Sequence, residues 1–153
     1  GFRYAMEILD TSRVIIAAQC VGIGQAALEE AVRYAQQRQS FGKPIAQHQA
    51  IQFMLADMAT DVHAARTATM QAATLKDEGL PFINEASMAK LLASEMCVKV
   101  ASQALQVHGG AGYFKDSPVE RLFRDARVTT IYEGTSEVQR LIIARQVLEQ
   151  YPV

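Results

Sequence analysis

Cysteine is nearly missing: only Cys20 and Cys97 occur among 153 residues, both in apolar helical surroundings. Two such thiols build no disulfide framework and read as buried, reduced side chains, which fits a reducing compartment. Clustered positive charge is missing too. Lys and Arg are dispersed and the net charge is −1, which argues against a nucleic-acid surface. No uninterrupted run of about 18 apolar residues occurs, so membrane insertion is not expected, and no signal-peptide pattern opens the chain. His48, His63 and His108 lack metal-ligand spacing, so no metal site is expected. No serine has the strand-turn-helix context of a nucleophile elbow. Alternating strands, internal repeats and linkers are absent as well, and half of the residues are apolar, which excludes a disordered chain.

What is present is helical rhythm. The first helix is predicted from about Tyr4 to Gln37, with Val14, Ile15, Ala18, Val21, Ala26, Leu28 and Val32 inward. Gly22 and Gly24 lie inside it, where small residues allow close helix contact. Gly42 and Pro44 in "SFGKP" interrupt it. A second helix is predicted over Ala46 to Lys76 with an Ile51, Met54, Leu55, Met58, Val62 stripe, capped by Gly79. A third covers Ile83 to Val107. "SPVE" signals a short helix with Ser117 as N-cap, Pro118 at its first position and Glu120 completing a capping box. A last helix follows Gly134, with Ser136 and Gln139 in capping-box positions and Val138, Leu141, Ile142 and Val147 inward. Between them, Val128 to Tyr132 is a short strand-like run. Long helices with short connections predict an all-α fold, an antiparallel up-and-down four-helix bundle with one extra short helix.

Four places can carry chemistry. Glu133 follows an apolar run and precedes Gly134. A base that removes a carbon-bound proton must be held rigidly and partly desolvated, and a neighbouring glycine lets a ligand approach the backbone. A solvated acid favoured by a helix N-terminus fits the same pattern. In "RQSFGKPIAQHQ", Arg38 can fork onto a phosphate, Phe41 can pack on a flat ring and Gln49 can donate, or the segment is an ordinary interhelix turn. In "QVHGGAGY", Gly109, Gly110 and Gly112 miss the dinucleotide-binding spacing, yet amides after a helix can bind an anion or simply turn the chain. Asp10 and Arg13 flank Ser12, either as a local pair or as contacts to a polar ligand.

Taken together, "YAQQRQSFGKPIAQHQAIQFMLADM", "QALQVHGGAGY", "FRDARVTTIYEGTSEVQRLIIAR" and the opening "GF…LD…R" resemble the C-terminal domain of the acyl-CoA dehydrogenase family, over residues 1–153. The resemblance implies an oxidoreductase that converts an acyl-CoA thioester to the trans-2-enoyl-CoA, with the β-hydride passing to FAD. The glutamate of "IYEGT", Glu133, falls on the base that takes the α-proton, and its amide on a donor to the thioester carbonyl. Some family members carry the base on the first helix, where this chain has Ser12. Arg38, Phe41, Gln49, Gln106, Gly109 and Gly110 match contacts to the FAD of a neighbouring subunit. Thr135 and Glu137 match contacts to the chain's own FAD. Asp10, Arg13 and Gly134 match acyl-CoA contacts.

Gln19 and Thr129 resemble pocket-floor residues of short-chain members, where bulk shortens the cavity. The resemblance further implies a homo-oligomer, dimer or tetramer, and an electron-transferring flavoprotein as acceptor. It places the protein in the cytoplasm of a bacterium or the mitochondrial matrix of a eukaryote. A family enzyme also has an N-terminal helical domain and a middle β-domain, absent here, so the chain by itself is expected to bind FAD poorly and not to turn over acyl-CoA. Two other roles share these marks: an oligomerisation module without independent catalysis, and a domain of an acyl-CoA oxidase.

Overall fold

The computed structural model describes residues 1–152, apart from the side chains of residues 2, 3 and 5–7; Phe2 of the opening mark is among these. Three long helices dominate: α1 (Phe2–Gln37), α2 (Gln49–Asp77) and α3 (Ile83–His108). Two shorter ones follow, α4 (Pro118–Val128) and α5 (Ser136–Gln150). The fold is an all-α bundle, as the periodicity predicts. α2 turns back along α1, and α3 returns parallel to α1, so that Gly24 meets Met96 at one level and Tyr34 stacks on His108 at another.

The α1–α3 seam is built from small residues. Ala17, Ala27, Ala31 and Ala35 of α1 and Ala86, Ala89, Ala93, Ala101 and Ala104 of α3 are fully buried. Short side chains let helix axes approach closely. Gly24 extends the seam, because a Cβ there would lie 2.7 Å from Met96 Sδ. Gly22 does not, since it faces solvent with open space around it. Ile15 and Ala18, predicted inward, also face out, because the buried column follows Val14, Ala17 and Val21. The Ile8–Gln37 part of α1 contains a window of mean hydropathy 1.2, long and apolar enough to cross a membrane. Here it is a packed helix of the bundle.

The connections explain where helices stop. After α1, strands β1 (Gln39–Ser40) and β2 (Lys43–Pro44) pair antiparallel around Phe41 and Gly42, both left-handed. Two left-handed central residues match the right-handed twist of a tight hairpin. A 3₁₀ turn at Ile45–Gln47 then delays α2 beyond its predicted start. Gly79, at φ 69°, ends α2 as predicted: its amide bonds Lys76 O while the Leu80 amide bonds Leu75 O, both orphan carbonyls of the last turn.

Three local expectations fail for identifiable reasons. At α4, Ser117 and Pro118 hold their predicted positions, but Ser117 makes no side-chain cap. Glu120 turns instead to Arg124, which offers two charge-assisted bonds of 2.7 and 3.1 Å. At α5 the N-cap is Thr135, whose hydroxyl accepts from the Val138 amide at 3.3 Å; Ser136 is already helical. Ser136 and Gln139 point inward, Ile142 is half-buried, and Val138, Leu141 and Val147 are exposed. Finally, Val128–Tyr132 forms no strand. With no neighbouring strand to complete a ladder, the run folds into successive turns, Thr129 N to Ala126 O and both Ile131 N and Tyr132 N to Val128 O.

Candidate active site

The turn after α4 is held in an unusual backbone state. Glu133 has φ 53° and Gly134 φ 88°. Left-handed backbone crowds the Cβ of an L-residue against a carbonyl, and such strain costs of order 1–3 kcal/mol, so it persists only where surroundings enforce it. Among the described residues only Phe41 and Glu133 combine a side chain with this conformation. Both are residues that the sequence marks for function. At Gly134 even a methyl group is excluded: a Cβ would lie 2.5 Å from Gln139 Nε2. The glycine is therefore demanded by the chain's own packing, in addition to any ligand.

The consequence is a carboxylate presented from a rigid turn. Glu133 is half-buried, and its Oε2 accepts a 2.6 Å hydrogen bond from Ser12 Oγ on α1. Ser12 also lines a hollow of about 340 Å³ with Tyr4, Ile8, Thr11 and Ile15, a largely apolar wall beside the carboxylate. Below the turn, Gln139 Nε2 donates to Glu133 O at 3.3 Å and to Gly134 O at 3.1 Å. Two carbonyl partners fix which end of that amide carries the nitrogen. The buried Lys90 Nζ donates to Gly134 O at 2.7 Å. The Glu133 amide donates to no carbonyl among the described residues.

The other predicted substrate residues divide. Arg13 is 3% exposed and its Nη1 donates to Asp10 Oδ1 at 2.6 Å, so a buried guanidinium is paired with a half-buried carboxylate. Gln19 is exposed, and its Oε1 accepts from the Tyr132 hydroxyl at 2.8 Å, clamping α1 to the turn. Thr129 is fully buried and donates to Ala126 O at 2.7 Å. It sits beneath the turn that carries Glu133, with no surface of its own exposed. It packs near Cys20 and Cys97, which are free and buried as expected. The Cys20 thiol, and then burial, push the Cys97 thiol up, which keeps it protonated.

The predicted cofactor residues form two groups. Arg38, Gln106, Gly109 and Gly110 line one concavity of about 480 Å³ with Ser40, beside the stacked Tyr34 and His108 rings. The faces of Gly109 and Gly110 are open, with nothing within 4 Å of a built Cβ, so a ligand can reach their amides. Phe41 and Gln49 do not line this concavity. Phe41 stands 95% exposed at the hairpin tip, edge-on to His48, and Gln49 opens α2 with an exposed side chain. Thr135 and Glu137 form the second group, at the start of α5. The Glu137 carboxyl is held below its ordinary range, first by its own backbone amide and then by Thr135. A negative charge in the first turn is favoured by the helix N-terminus. The position adds an exposed carboxylate and the Thr135 hydroxyl to the surface of the turn.

Residues 1–148 match the family model "Acyl-CoA dehydrogenase, C-terminal domain". The chain belongs to the acyl-CoA dehydrogenase family. Bovine mitochondrial short-chain specific acyl-CoA dehydrogenase is 55% identical over 99% of the chain, which spans 37% of that protein. Caffeyl-CoA reductase-Etf complex subunit CarC of Acetobacterium woodii is 50% identical over 98% of the chain and 40% of its own length. The structure of butyryl-CoA dehydrogenase from Megasphaera elsdenii superposes with TM-score 0.96 at 47% identity, covering 97% of this chain and 39% of that one. The chain thus spans about two-fifths of the relatives it matches. Within this acyl-CoA dehydrogenase domain, Lys90 and the Ser12 bond to Glu133 were not marked by sequence motifs, and Gln139 was marked only as a capping-box residue, although all three shape the turn that the motifs single out.

Proposed function

We propose that this chain carries the catalytic base of an FAD-dependent acyl-CoA dehydrogenase acting on short-chain thioesters. The observation that carries this reading is Glu133 itself: a half-buried carboxylate on a strained, multiply braced turn beside an apolar hollow. Strain retained at a residue and held by surrounding bonds supports a functional role. The Glu133 side chain removes the α-proton of the acyl chain lying in that hollow. The Glu133 amide, which bonds no carbonyl among the described residues, donates to the thioester oxygen as negative charge develops there, a preorganised contact of the kind that stabilises enolates. Asp10 and Arg13 order the α1 side of the acyl-CoA contact, and Gln19 limits chain length.

FAD, when bound, supplies the acceptor for the β-hydride. The donor set fits it: Arg38 for a phosphate, open Gly109 and Gly110 amides and Gln106 beside it, Phe41 and Gln49 at the rim, and Thr135 and Glu137 for hydroxyls. Lys90, which underlies the second group, and Gln106 of the first are separated along α3 by roughly 24 Å at helical rise. That separation supports a homo-oligomer in which one subunit's Arg38 group completes a neighbour's site. Exposed Phe53, Met70, Leu92, Leu141 and Leu148 supply apolar surface for such assembly. An electron-transferring flavoprotein is the proposed acceptor, in keeping with the Etf complex to which the Acetobacterium relative belongs by name. Reduced buried thiols fit the bacterial cytoplasm or the mitochondrial matrix.

That relative's name favours a second direction, in which Glu133 returns the α-proton to an enoyl thioester. The test is turnover by the complete gene product, loaded with FAD, using butyryl-CoA and an artificial acceptor. Oxidation is expected, and loss of about 10²-fold or more in Glu133→Gln. Full activity in the variant contradicts the assignment. Absence of oxidation combined with reduction of the enoyl thioester supports the second direction. The isolated chain with the same reagents is expected to be inactive.

A further inference from the structure

Position 90 breaks the pattern of α3. The helix buries Ala86, Ala89, Ala93, Met96, Cys97, Val100, Ala101 and Ala104, a stripe at spacings of three and four. Lys90 stands inside that stripe, four residues after Ala86 and three before Ala93, and is 0% exposed. With Met58 and Gln139 it is among the bulkiest fully buried side chains. Two of these three are polar, and both hold the same turn. Burying an ammonium is costly unless its hydrogens are used. Burial pushes Lys90 below its ordinary range, Arg13 adds to that, and Cys20, Glu133 and Glu137 act in the opposite sense.

The use of those hydrogens is specific. Lys90 Nζ bonds Gly134 O at 2.7 Å, and Gln139 Nε2 bonds both Gly134 O and Glu133 O. Three contacts therefore grip two successive carbonyls, those of the two residues in left-handed backbone. Such a conformation persists only when its surroundings over-determine it. The grip comes from α3 and α5, and Ser12 holds the carboxylate from α1. The base is braced at its backbone from below and at its oxygen from the side.

We infer that Lys90 and Gln139 are positioning residues for Glu133: their donors lock the Glu133–Gly134 carbonyls and so aim the carboxylate at the α-carbon. The inference rests on Glu133 acting as the base. Neither side chain touches substrate. Their effect is exerted through the turn, where a displacement of about 1 Å costs on the order of a hundredfold in rate.

The test uses the complete, flavin-loaded gene product with Lys90→Met, Gln139→Met and, as a control, Glu133→Gln. Activity is expressed per bound flavin. Each positioning variant is expected to lower kcat about tenfold or more while KM for butyryl-CoA stays within about threefold of the parent. The isotope effect from α-deuterated butyryl-CoA is expected to become fully expressed, because proton removal alone is slowed. A purely structural role would reduce the yield of flavin-loaded protein and leave kcat per flavin and the isotope effect unchanged; that result overturns the inference. Should Lys90→Met fail to fold, Gln139→Met and Lys90→Arg are judged by the same kcat and isotope criteria. Full activity in Glu133→Gln would instead overturn the base assignment, whatever the other variants do.

Discussion

Ser12 Oγ lies 2.6 Å from Glu133 Oε2, a side-chain bond that spans 121 residues of sequence. It joins α1 to the turn before α5 at the carboxylate itself. The Ser12 hydroxyl also lies within 3.1 Å of Leu9 O, so a single hydrogen is shared between local and distant acceptors. Ser12→Ala removes the tie without disturbing the helix. A hydrogen bond to a charged group contributes about 1.5–3 kcal/mol, and partial exposure brings the expected loss of unfolding free energy to about 1 kcal/mol. Urea titration of the parent and the variant measures it; equal midpoints at equal slope would show that the bond contributes nothing.

Gly134→Ala acts on the same turn from within. The new methyl group meets both a φ of 88° and the Gln139 amide at 2.5 Å. Left-handed backbone alone costs about 1–2 kcal/mol for an L-residue. Displacement of Gln139 adds the loss of its bonds to two carbonyls, about 1 kcal/mol each. A total destabilisation of about 2–4 kcal/mol is expected, read from thermal or urea unfolding. A change below about 0.5 kcal/mol, the range of ordinary surface substitutions, would mean the turn adapts freely.

Tyr132 gives the alkaline side of the stability profile. Burial pushes its phenol above the ordinary value of 10.0, and the bond to Gln19 pulls the other way. Because the folded value lies above the unfolded one, the folded state holds its proton longer. The stabilising contribution is complete below pH 10.0 and is lost as pH rises through the folded value. Tyr132→Phe should therefore flatten the fall of stability above pH 10.0, measured as urea midpoints against pH. An unchanged slope would show that the phenol does not contribute to it.

Gln19→Gly tests the chain-length reading. Gln19 is exposed on α1 and tied to Tyr132, so the substitution removes both bulk and a clamp. In the complete enzyme, kcat/KM should shift toward longer acyl-CoAs; an extra methylene in an apolar pocket is worth about 1–3 kcal/mol. An unchanged profile across acyl lengths would remove Gln19 from the pocket floor.

The helices and their glycine stops were legible in the sequence because each depends on residues close along the chain. Gly79 shows this well: its left-handed cap is a local event. The local pattern left Glu133 open between a base and a solvated acid until the family resemblance singled it out. The Val128–Tyr132 run was misread because β-propensity is realised only beside another strand, and none is near. The inward face of α5 was missed because its apolar residues are not its buried ones: Leu141 faces out and Gln139 in. Lys90 lies 44 residues from the carbonyl it holds, and no spacing rule connects them. A signal did exist: a lysine in an alanine stripe at core spacing is a buried charge that requires a partner.

The most direct measurement is exchange of the α-protons of butyryl-CoA with deuterated solvent, followed by NMR in the complete, flavin-loaded gene product. Proton removal is thereby separated from the fate of the electrons. The parent should exchange readily. Glu133→Gln should retain its flavin and lose exchange to the level of the uncatalysed reaction. Exchange in the variant at the parental rate, with flavin bound, would contradict the assignment of Glu133 as the base.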